Sequence, residues 1–151
     1  MVGVVQRVSE AQVSVEGTIV SRIGAGLLLL VGIRTDDTEK DAAFMANKVV
    51  NLRIFPDGEG NLNRSLLDLQ GEILVVSQFT LLGDTRKGRR PSFSDAAKPE
   101  QAEPVYRALL LQIASFKVPV KEGRFRAMME VQLVNSGPVT LIVDTKEKKW
   151  N

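Results

Sequence analysis

The hydrophobic pattern of this chain repeats every second residue over most of its length and takes a helical period in only two segments. Strands are predicted over residues 2–8, 11–15, 18–23, 27–33, 72–79, 118–120, 129–134 and 139–143. Two helices are too few to cover both faces of a doubly wound parallel sheet. The order therefore predicts an α+β fold: a mostly antiparallel curved sheet or partial β-barrel with two packed helices.

The two helical segments are predicted over residues 38–52 and 100–116. In the first, Thr38 and Asp41 have the spacing of a capping box. In the second, Pro99 suits the first helical turn, whereas Pro104 is expected to kink the helix or delay its start because it lacks an N–H donor. Residues 61–71 have no clear pattern and stay unassigned.

The length of 151 residues is typical of a single domain, which we place at residues 1–145. Residues 146–151 are predicted to form a charged C-terminal tail. No internal repeat or linker divides the chain. The initial residues do not resemble a signal peptide, and no apolar run is long enough for a membrane span, so we expect a cytoplasmic protein.

The chain contains neither cysteine nor histidine, and this limits its chemistry. Disulfides, cysteine nucleophiles, Ser–His–Asp triads and histidine-ligated zinc sites are all excluded. We predict no metal and no cofactor. If the protein is an enzyme, its general base is a lysine, a carboxylate, a backbone group or a group on the substrate.

A candidate pocket follows the apolar run of the strand that begins at Glu72. Ser77, Gln78 and Thr80 are neutral donors and acceptors placed where the buried strand ends, with Phe79 between them. Strand-end residues of this kind also commonly satisfy nearby backbone groups, so both interpretations stay open. No base in the neighbouring sequence could activate Ser77 or Thr80 as a nucleophile.

A dense basic run follows the same stretch and contains Arg86, Lys87, Arg89 and Arg90. It is either a solvated loop or a rim that binds anions.

A second short motif, residues 135–138, separates two alternating strands and is interpreted as a turn or as a rigid bend at Gly137-Pro138. The sequence leaves the isomer of that X-Pro bond open.

Four segments together resemble the D-aminoacyl-tRNA deacylase family, also called D-tyrosyl-tRNA deacylases. They are VVQRV near the N-terminus, RIFPDGEGNLN, VVSQFTLLGDTRKGRRPSF and VNSGPVTLIV, and the resemblance covers residues 1 to about 144. The resemblance implies a homodimeric carboxylic ester hydrolase that releases D-amino acids from the 3′ end of tRNA. Such an enzyme performs chiral proofreading, and glycyl-tRNA is an expected further substrate because glycine has no side chain to exclude.

The resemblance also implies residue roles. Ser77, Gln78, Phe79 and Thr80 would line the pocket for the terminal adenosine and its aminoacyl group. Gly137 and Pro138 would form a cis element that enters the partner subunit's pocket and excludes L-amino acids. Arg7 would hold that element, and Phe125 and Met129 would lie near the pocket.

Two catalytic schemes fit this pattern. Thr80 is the candidate nucleophile of the motif, but it lacks an evident base. In the other scheme, the 2′-hydroxyl of the terminal ribose assists hydrolysis while backbone N–H groups near Phe79 and Thr80 stabilise the oxyanion. Two other function classes stay open: a tRNA- or RNA-binding module without catalysis, and a dimeric structural protein. We expect no DNA or membrane partner, and Arg86, Lys87, Arg89 and Arg90 are the candidate tRNA contacts.

Overall fold

A computed structural model describes residues 1–147 of the chain. A six-stranded curved sheet forms the centre of the fold, with a small two-stranded sheet beside it. The strands are β1 (Val2–Val15), β2 (Thr18–Ile23), β3 (Gly26–Gly32), β4 (Phe55–Pro56), β5 (Leu62–Arg64), β6 (Glu72–Ser77), β7 (Val120–Glu122) and β8 (Glu130–Asp144). The helices are α1 (Glu39–Asn51), α2 (Leu66–Leu69) and α3 (Pro99–Ser115).

Strand β1 organises the sheet because it has partners along both edges. One edge pairs with β8 from Val2 to Ser14, and the other pairs first with β3 and then with β2, all antiparallel. Strand β2 also approaches β6 and β7, so the sheet is nearly closed. The predicted α+β class with a curved sheet is confirmed.

The pairings of β3 with β6 and of β6 with β7 are parallel, which the sequence pattern did not indicate. Both β3 and β6 are apolar on their two faces. Leu28 and Leu74 pack inside the curved sheet, whereas Leu27 and Ile73 face the helices. A central parallel strand needs this cover on both sides, and that explains the continuous apolar runs.

Helices α1 and α3 pack against each other and against the outer face of the sheet. The predicted capping box is present at the start of α1, where the Thr38 side chain and the Asp41 carboxylate each accept a backbone N–H bond. Helix α3 begins at Pro99 and continues through Pro104, so its start is not delayed. The single-turn helix α2 lies in the segment that the sequence left unassigned.

Strand β8 is continuous across residues 135–138, so the interpretation of this segment as a simple turn is wrong. Lys146, predicted to belong to the tail, lies just beyond β8 with its ammonium 3.2 Å from the Asp41 carboxylate. Residues 148–151 of the predicted tail lie outside the described residues. None of the helices in the described range is long and apolar enough to cross a membrane.

Candidate active site

The polar candidate residues begin where β6 ends. The four residues before Ser77 are buried, whereas Ser77 and Gln78 are half-buried and Phe79 and Thr80 are exposed. The Gln78 N–H donates to the Val31 carbonyl at 2.8 Å and so extends the parallel pairing by one bond. The strand therefore delivers this segment from the core to the surface at a fixed position.

A 3-10 turn over Phe79–Leu82 follows at once. Within it, Leu81 N–H donates to the Gln78 carbonyl at 3.2 Å, and Gly83 N–H donates to the Thr80 carbonyl at 3.0 Å. The first N–H groups of a helical turn have no acceptor inside the turn. Across residues 1–147, the N–H groups of Phe79 and Thr80 have no protein acceptor, so both can donate to a bound oxygen.

The side chains around this turn are neutral. The Gln78 amide Nε2 donates to the Thr80 hydroxyl oxygen. In the described part of the chain, no carboxylate or lysine hydrogen-bonds to that hydroxyl. Thr80 therefore lacks the neighbouring base that an activated hydroxyl nucleophile requires.

Phe79 presents an aromatic surface beside Thr80. Its side chain is 55% exposed, and its ring packs edge-on against Phe93 with ring centroids 5.1 Å apart. An exposed phenyl ring held in this way is a suitable surface for stacking a nucleobase or packing an apolar group.

The Gly137–Pro138 segment forms a bulge in β8. Gln6 pairs with Thr140 and Val8 with Asn135, so residues 136–139 lie opposite the single residue Arg7. The Gly137–Pro138 peptide is cis, and both residues are exposed. Gly137 has φ +125°, which residues with side chains rarely adopt, and a Cβ there would lie 2.8 Å from the Arg7 guanidinium, so a larger residue would be strained.

Arg7 fixes the bulge from the opposite strand. Its Nε donates to the Ser136 carbonyl at 3.0 Å, and its Nη1 donates to the Ile54 carbonyl at 2.7 Å. The guanidinium thus joins the bulge to the segment before β4.

Asn135 fixes the bulge from within, a role that the sequence reading missed. Its Oδ1 accepts the Val139 N–H at 3.2 Å, and its Nδ2 donates to the Thr140 hydroxyl at 2.8 Å. The Gln6 amide also donates to that hydroxyl at 3.3 Å. The available signal was an asparagine four residues before Val139, since asparagine side chains often satisfy backbone groups in nearby irregular segments.

One chain does not bring the two motifs together. The 3-10 turn lies against Gly32, which pairs with Val2 at the start of β1. The bulge lies opposite Arg7, five residues farther along β1, or roughly 16 Å at the usual rise per residue.

Phe125 and Met129 lie beside the C-terminal half of β6. The Phe125 ring packs against Tyr106 with centroids 5.4 Å apart, and the Tyr106 hydroxyl donates to the Val75 carbonyl at 3.2 Å. Burial raises the pKa of Tyr106, so its hydroxyl remains a neutral donor. Met129 accepts a weak bond from the Arg124 N–H at 3.4 Å and packs against the interior cluster. Both side chains contact the core rather than Thr80.

The basic run lies on an exposed loop next to the 3-10 turn. Asp84 and Ser92 close it through two backbone hydrogen bonds of 2.7 and 3.0 Å. Arg86 binds Asp84 through both of its carboxylate oxygens, at 2.9 and 2.7 Å. Hydrogen bonds from the Arg86 side chain and backbone lower the pKa of Asp84 to about 2, so this carboxylate is charged at neutral pH. In residues 1–147, no three metal-ligating side chains converge.

Comparisons with known proteins give consistent results. A family model described as D-Tyr-tRNA(Tyr) deacylase matches residues 4–144. A curated relative from Bacillus velezensis, named D-aminoacyl-tRNA deacylase, is 58% identical over 144 residues, which are 95% of this chain and 98% of that protein.

Solved structures agree with the fold. One named c-Myc DNA Unwinding Element Binding Protein has a TM-score of 0.91 and 42% identity, covering 97% of this chain and 100% of its own. Another, of a probable eukaryotic D-amino acid tRNA deacylase, has a TM-score of 0.81 at 17% identity and covers 94% of this chain and 97% of its own. The second likeness concerns the fold alone.

Proposed function

This chain belongs to the D-Tyr-tRNA(Tyr) deacylase family, and from this premise we propose how its residues act on aminoacyl-tRNA. The protein is an enzyme, a D-aminoacyl-tRNA deacylase. The observation that carries this conclusion is the match over residues 4–144, together with a curated deacylase that is 58% identical over 98% of its length.

The reaction is hydrolysis of a carboxylic ester. Water adds to the carbonyl carbon of the D-aminoacyl group, and the bond from that carbon to the 3′-oxygen of the terminal adenosine breaks. The carbonyl carbon keeps the hydroxyl of the water, and the remaining proton goes to the ribose oxygen. The products are a free D-amino acid and tRNA with a 3′-hydroxyl.

The 3-10 turn is our candidate for the oxyanion site. The N–H groups of Phe79 and Thr80 have no protein acceptor across residues 1–147, and they lie on consecutive residues of a rigid turn. Fixed donors aimed at a developing negative charge stabilise the tetrahedral transition state without reorganising. The exposed Phe79 ring would support the terminal adenosine, with Ser77 and Gln78 at the floor of the pocket.

In this proposal a group on the substrate, and not Thr80, assists proton transfer. The Thr80 hydroxyl accepts a bond from the Gln78 amide, which orients it but does not make it more basic. The 2′-hydroxyl of the terminal ribose is adjacent to the ester, so it can assist proton transfer without a base from the protein. Thr80 then serves as a hydrogen-bonding group for the substrate.

Stereochemical selection falls to Gly137 and Pro138 in this proposal. D- and L-aminoacyl groups have the same atoms, so a rigid wall in the space of the L side chain discriminates better than added attraction. The bulge is exposed and is fixed by Arg7 and Asn135. Glycyl-tRNA passes such a wall because it has no side chain.

The wall would come from a second copy of the chain. The 3-10 turn lies near Val2 and the bulge lies opposite Arg7, so the two are apart along β1. This separation favours a bulge that serves the pocket of a second protomer. In the described chain, β8 pairs with β1 alone, and it exposes Val134, Leu141 and Ile142 at 50%, 38% and 73%. A free strand edge with exposed apolar side chains supports a homodimer.

The partner is aminoacyl-tRNA, bound by its 3′-terminal adenosine, and we place the enzyme in the cytoplasm, where that substrate is used.

A nucleic-acid-binding role without catalysis is the second candidate. It is favoured by the basic loop and by the name of one structural neighbour, which refers to a DNA unwinding element. For the deacylase itself we expect RNA rather than DNA to be the ligand, because the ribose 2′-hydroxyl is central to the proposed chemistry.

The deciding experiment compares D-tyrosyl-tRNA with L-tyrosyl-tRNA at equal enzyme concentration and measures release of free tyrosine. We expect the D ester to be cleaved at least about 100-fold faster, the scale at which a binding site discriminates well. Binding without cleavage of either ester would favour the second candidate. Equal cleavage of both would contradict the selective wall.

A further inference from the structure

The basic loop, residues 85–91, is fixed to the candidate site at both of its ends. Gly83 and Asp84 connect it to the 3-10 turn, and the Asp84–Ser92 bridge closes it. The residue after that bridge, Phe93, packs against Phe79. The position of the loop relative to Phe79 and Thr80 is therefore set by backbone hydrogen bonds and by an aromatic contact.

The four cations of the loop fall into two classes. Arg86 is paired with Asp84 through two short hydrogen bonds, so its charge is compensated. Lys87, Arg89 and Arg90 are exposed, and each lacks an ion pair or side-chain hydrogen bond within residues 1–147. Three uncompensated positive charges thus lie beside a site whose own side chains are neutral.

We propose that Lys87, Arg89 and Arg90 bind backbone phosphates of the tRNA acceptor strand next to the 3′-terminal adenosine, and that Asp84 positions the loop by holding Arg86. The proposal rests on the proposed function, because it requires the ester to lie at Phe79 and Thr80. With the ester there, the loop would be placed to contact the phosphates of the nucleotides that precede the terminal adenosine. Guanidinium and ammonium groups neutralise such phosphates without reading sequence.

This assignment gives the enzyme affinity without selectivity. Phosphate contacts are the same for every tRNA and for either hand of the amino acid, so the loop would serve all D-aminoacyl-tRNAs equally. Selection would remain with Gly137 and Pro138.

The test compares intact D-tyrosyl-tRNA with the D-tyrosyl ester of adenosine, which lacks the neighbouring phosphates. The measured quantity is kcat/KM for the intact substrate divided by kcat/KM for the short ester. A Lys87→Ala, Arg89→Ala, Arg90→Ala triple variant should lower this quotient by at least about tenfold at physiological salt. The same variant should bind uncharged tRNA with a salt dependence about 2 units shallower in the log–log slope, because three phosphate contacts are lost.

The matched control removes three exposed lysines elsewhere, Lys40, Lys48 and Lys121, which gives the same change of net charge. It should leave the ratio of the two substrates unchanged. The proposal is overturned if the loop variant keeps the wild-type ratio, or if the control lowers the ratio equally. Failure of the wild-type enzyme to cleave either ester would instead refute the deacylase function on which the proposal rests.

Asp84 has a separate test as a positioning residue. Asp84→Ala frees Arg86 and removes the bidentate hold on the loop, whereas Asp84→Glu keeps the carboxylate. We expect Asp84→Ala to raise KM for intact D-tyrosyl-tRNA several-fold with little change in kcat, and Asp84→Glu to restore part of the loss. A fall in kcat with KM unchanged would contradict a role in positioning the loop.

Discussion

The Arg7 guanidinium donates from Nε to the Ser136 carbonyl at 3.0 Å and lies opposite the whole bulge of β8. The same side chain donates from Nη1 to the Ile54 carbonyl at 2.7 Å. One residue thus ties the bulge to two other segments. Gly137 and Pro138 are exposed, and a side chain of the opposite strand holds their position.

Removing Arg7 should release the bulge. Hydrogen bonds from a charged donor are worth about 1.5–3 kcal/mol each, so Arg7→Ala should lower the ratio of D- to L-tyrosyl-tRNA cleavage by at least about tenfold. Arg7→Lys should retain part of the ratio, since an ammonium reaches one carbonyl but lacks the fork geometry. The measurement is the deacylation rate on both substrates. Arg22→Ala is the control, because Arg22 is an exposed arginine paired with Glu10 at 3.3 Å, and an equal loss there would contradict the prediction.

Asn135 should affect selectivity in the same direction. Asn135→Ala removes the acceptor for the Val139 N–H and the donor to Thr140, two neutral bonds worth about 1 kcal/mol each. We expect the D-to-L ratio to fall by at least about tenfold. Asn135→Asp should restore much of it, because a carboxylate still accepts the Val139 N–H and can accept from the Thr140 hydroxyl once that hydroxyl turns to donate. Gln132→Ala, on the same strand but bonded to Gln12, should leave the ratio unchanged. If Asn135→Ala lost activity but kept its selectivity, the role of Asn135 in fixing the bulge would be refuted.

The two catalytic schemes make opposite predictions about Thr80 and the ribose. Replacing the substrate's terminal 2′-hydroxyl with hydrogen should lower kcat by about 10²–10⁴, the usual contribution of a positioned proton-transfer group. Thr80→Ala should retain most of kcat, because its hydroxyl has no base beside it. Single-turnover rates on both substrates distinguish the schemes. Rapid cleavage of the deoxy substrate would support Thr80 as the nucleophile. An inactive Thr80→Ala variant that still binds tRNA would support the same role.

Acid should destabilise the protein through Asp41. Burial raises the pKa of this carboxyl, but hydrogen bonds from the Thr38 N–H, the Thr145 hydroxyl and the Lys146 ammonium outweigh it and hold the pKa at about 2. The unfolded chain binds the proton first, near the ordinary value of 3.8. The stabilisation from this carboxylate is therefore complete above about pH 4 and is lost as the pH falls toward 2.

Asp41→Asn should remove this acid dependence. We expect it to cost on the order of 1 kcal/mol of unfolding free energy at pH 7, as loss of a capping interaction does, and much less at pH 2. Urea unfolding at both pH values provides the measurement. Asp95→Asn is the control, since the Asp95 side chain is exposed and makes no hydrogen bond or ion pair within residues 1–147. An equal cost for Asp41→Asn at both pH values would contradict the assignment.

Much of the secondary structure was predictable because each element follows local rules. The alternation of Val13 and Val15 with polar residues predicts a strand, and the spacing of Thr38 and Asp41 predicts where α1 starts. The pairing of strands was not predictable in the same way. The parallel neighbours β3 and β6 come together only because α1, the small β4–β5 sheet and α2 bridge them, and hydrophobic period alone carries no information about strand direction.

The candidate site shows the same division. The polar residues 77–80 stand out as soon as the buried strand ends, and the absence of histidine and cysteine confines the chemistry to neutral groups and the substrate. The pairing of Arg86 with Asp84 was missed because Arg86 stood with three other cations, and charge pairing depends on where the loop folds back. Asn135 was missed because its role appears only when residues 136–139 bulge away from Arg7.

Residue order was therefore enough to establish which groups this protein can use: backbone donors after a buried strand, a Gly-Pro segment between two strands and no imidazole or thiol. Folding determined where those groups lie relative to one another. Long-range pairing places the 3-10 turn near Val2 and the Gly137–Pro138 bulge opposite Arg7, roughly 16 Å apart along β1. That separation results from strand register, which depends on contacts between residues more than a hundred positions apart, and no local pattern encodes it.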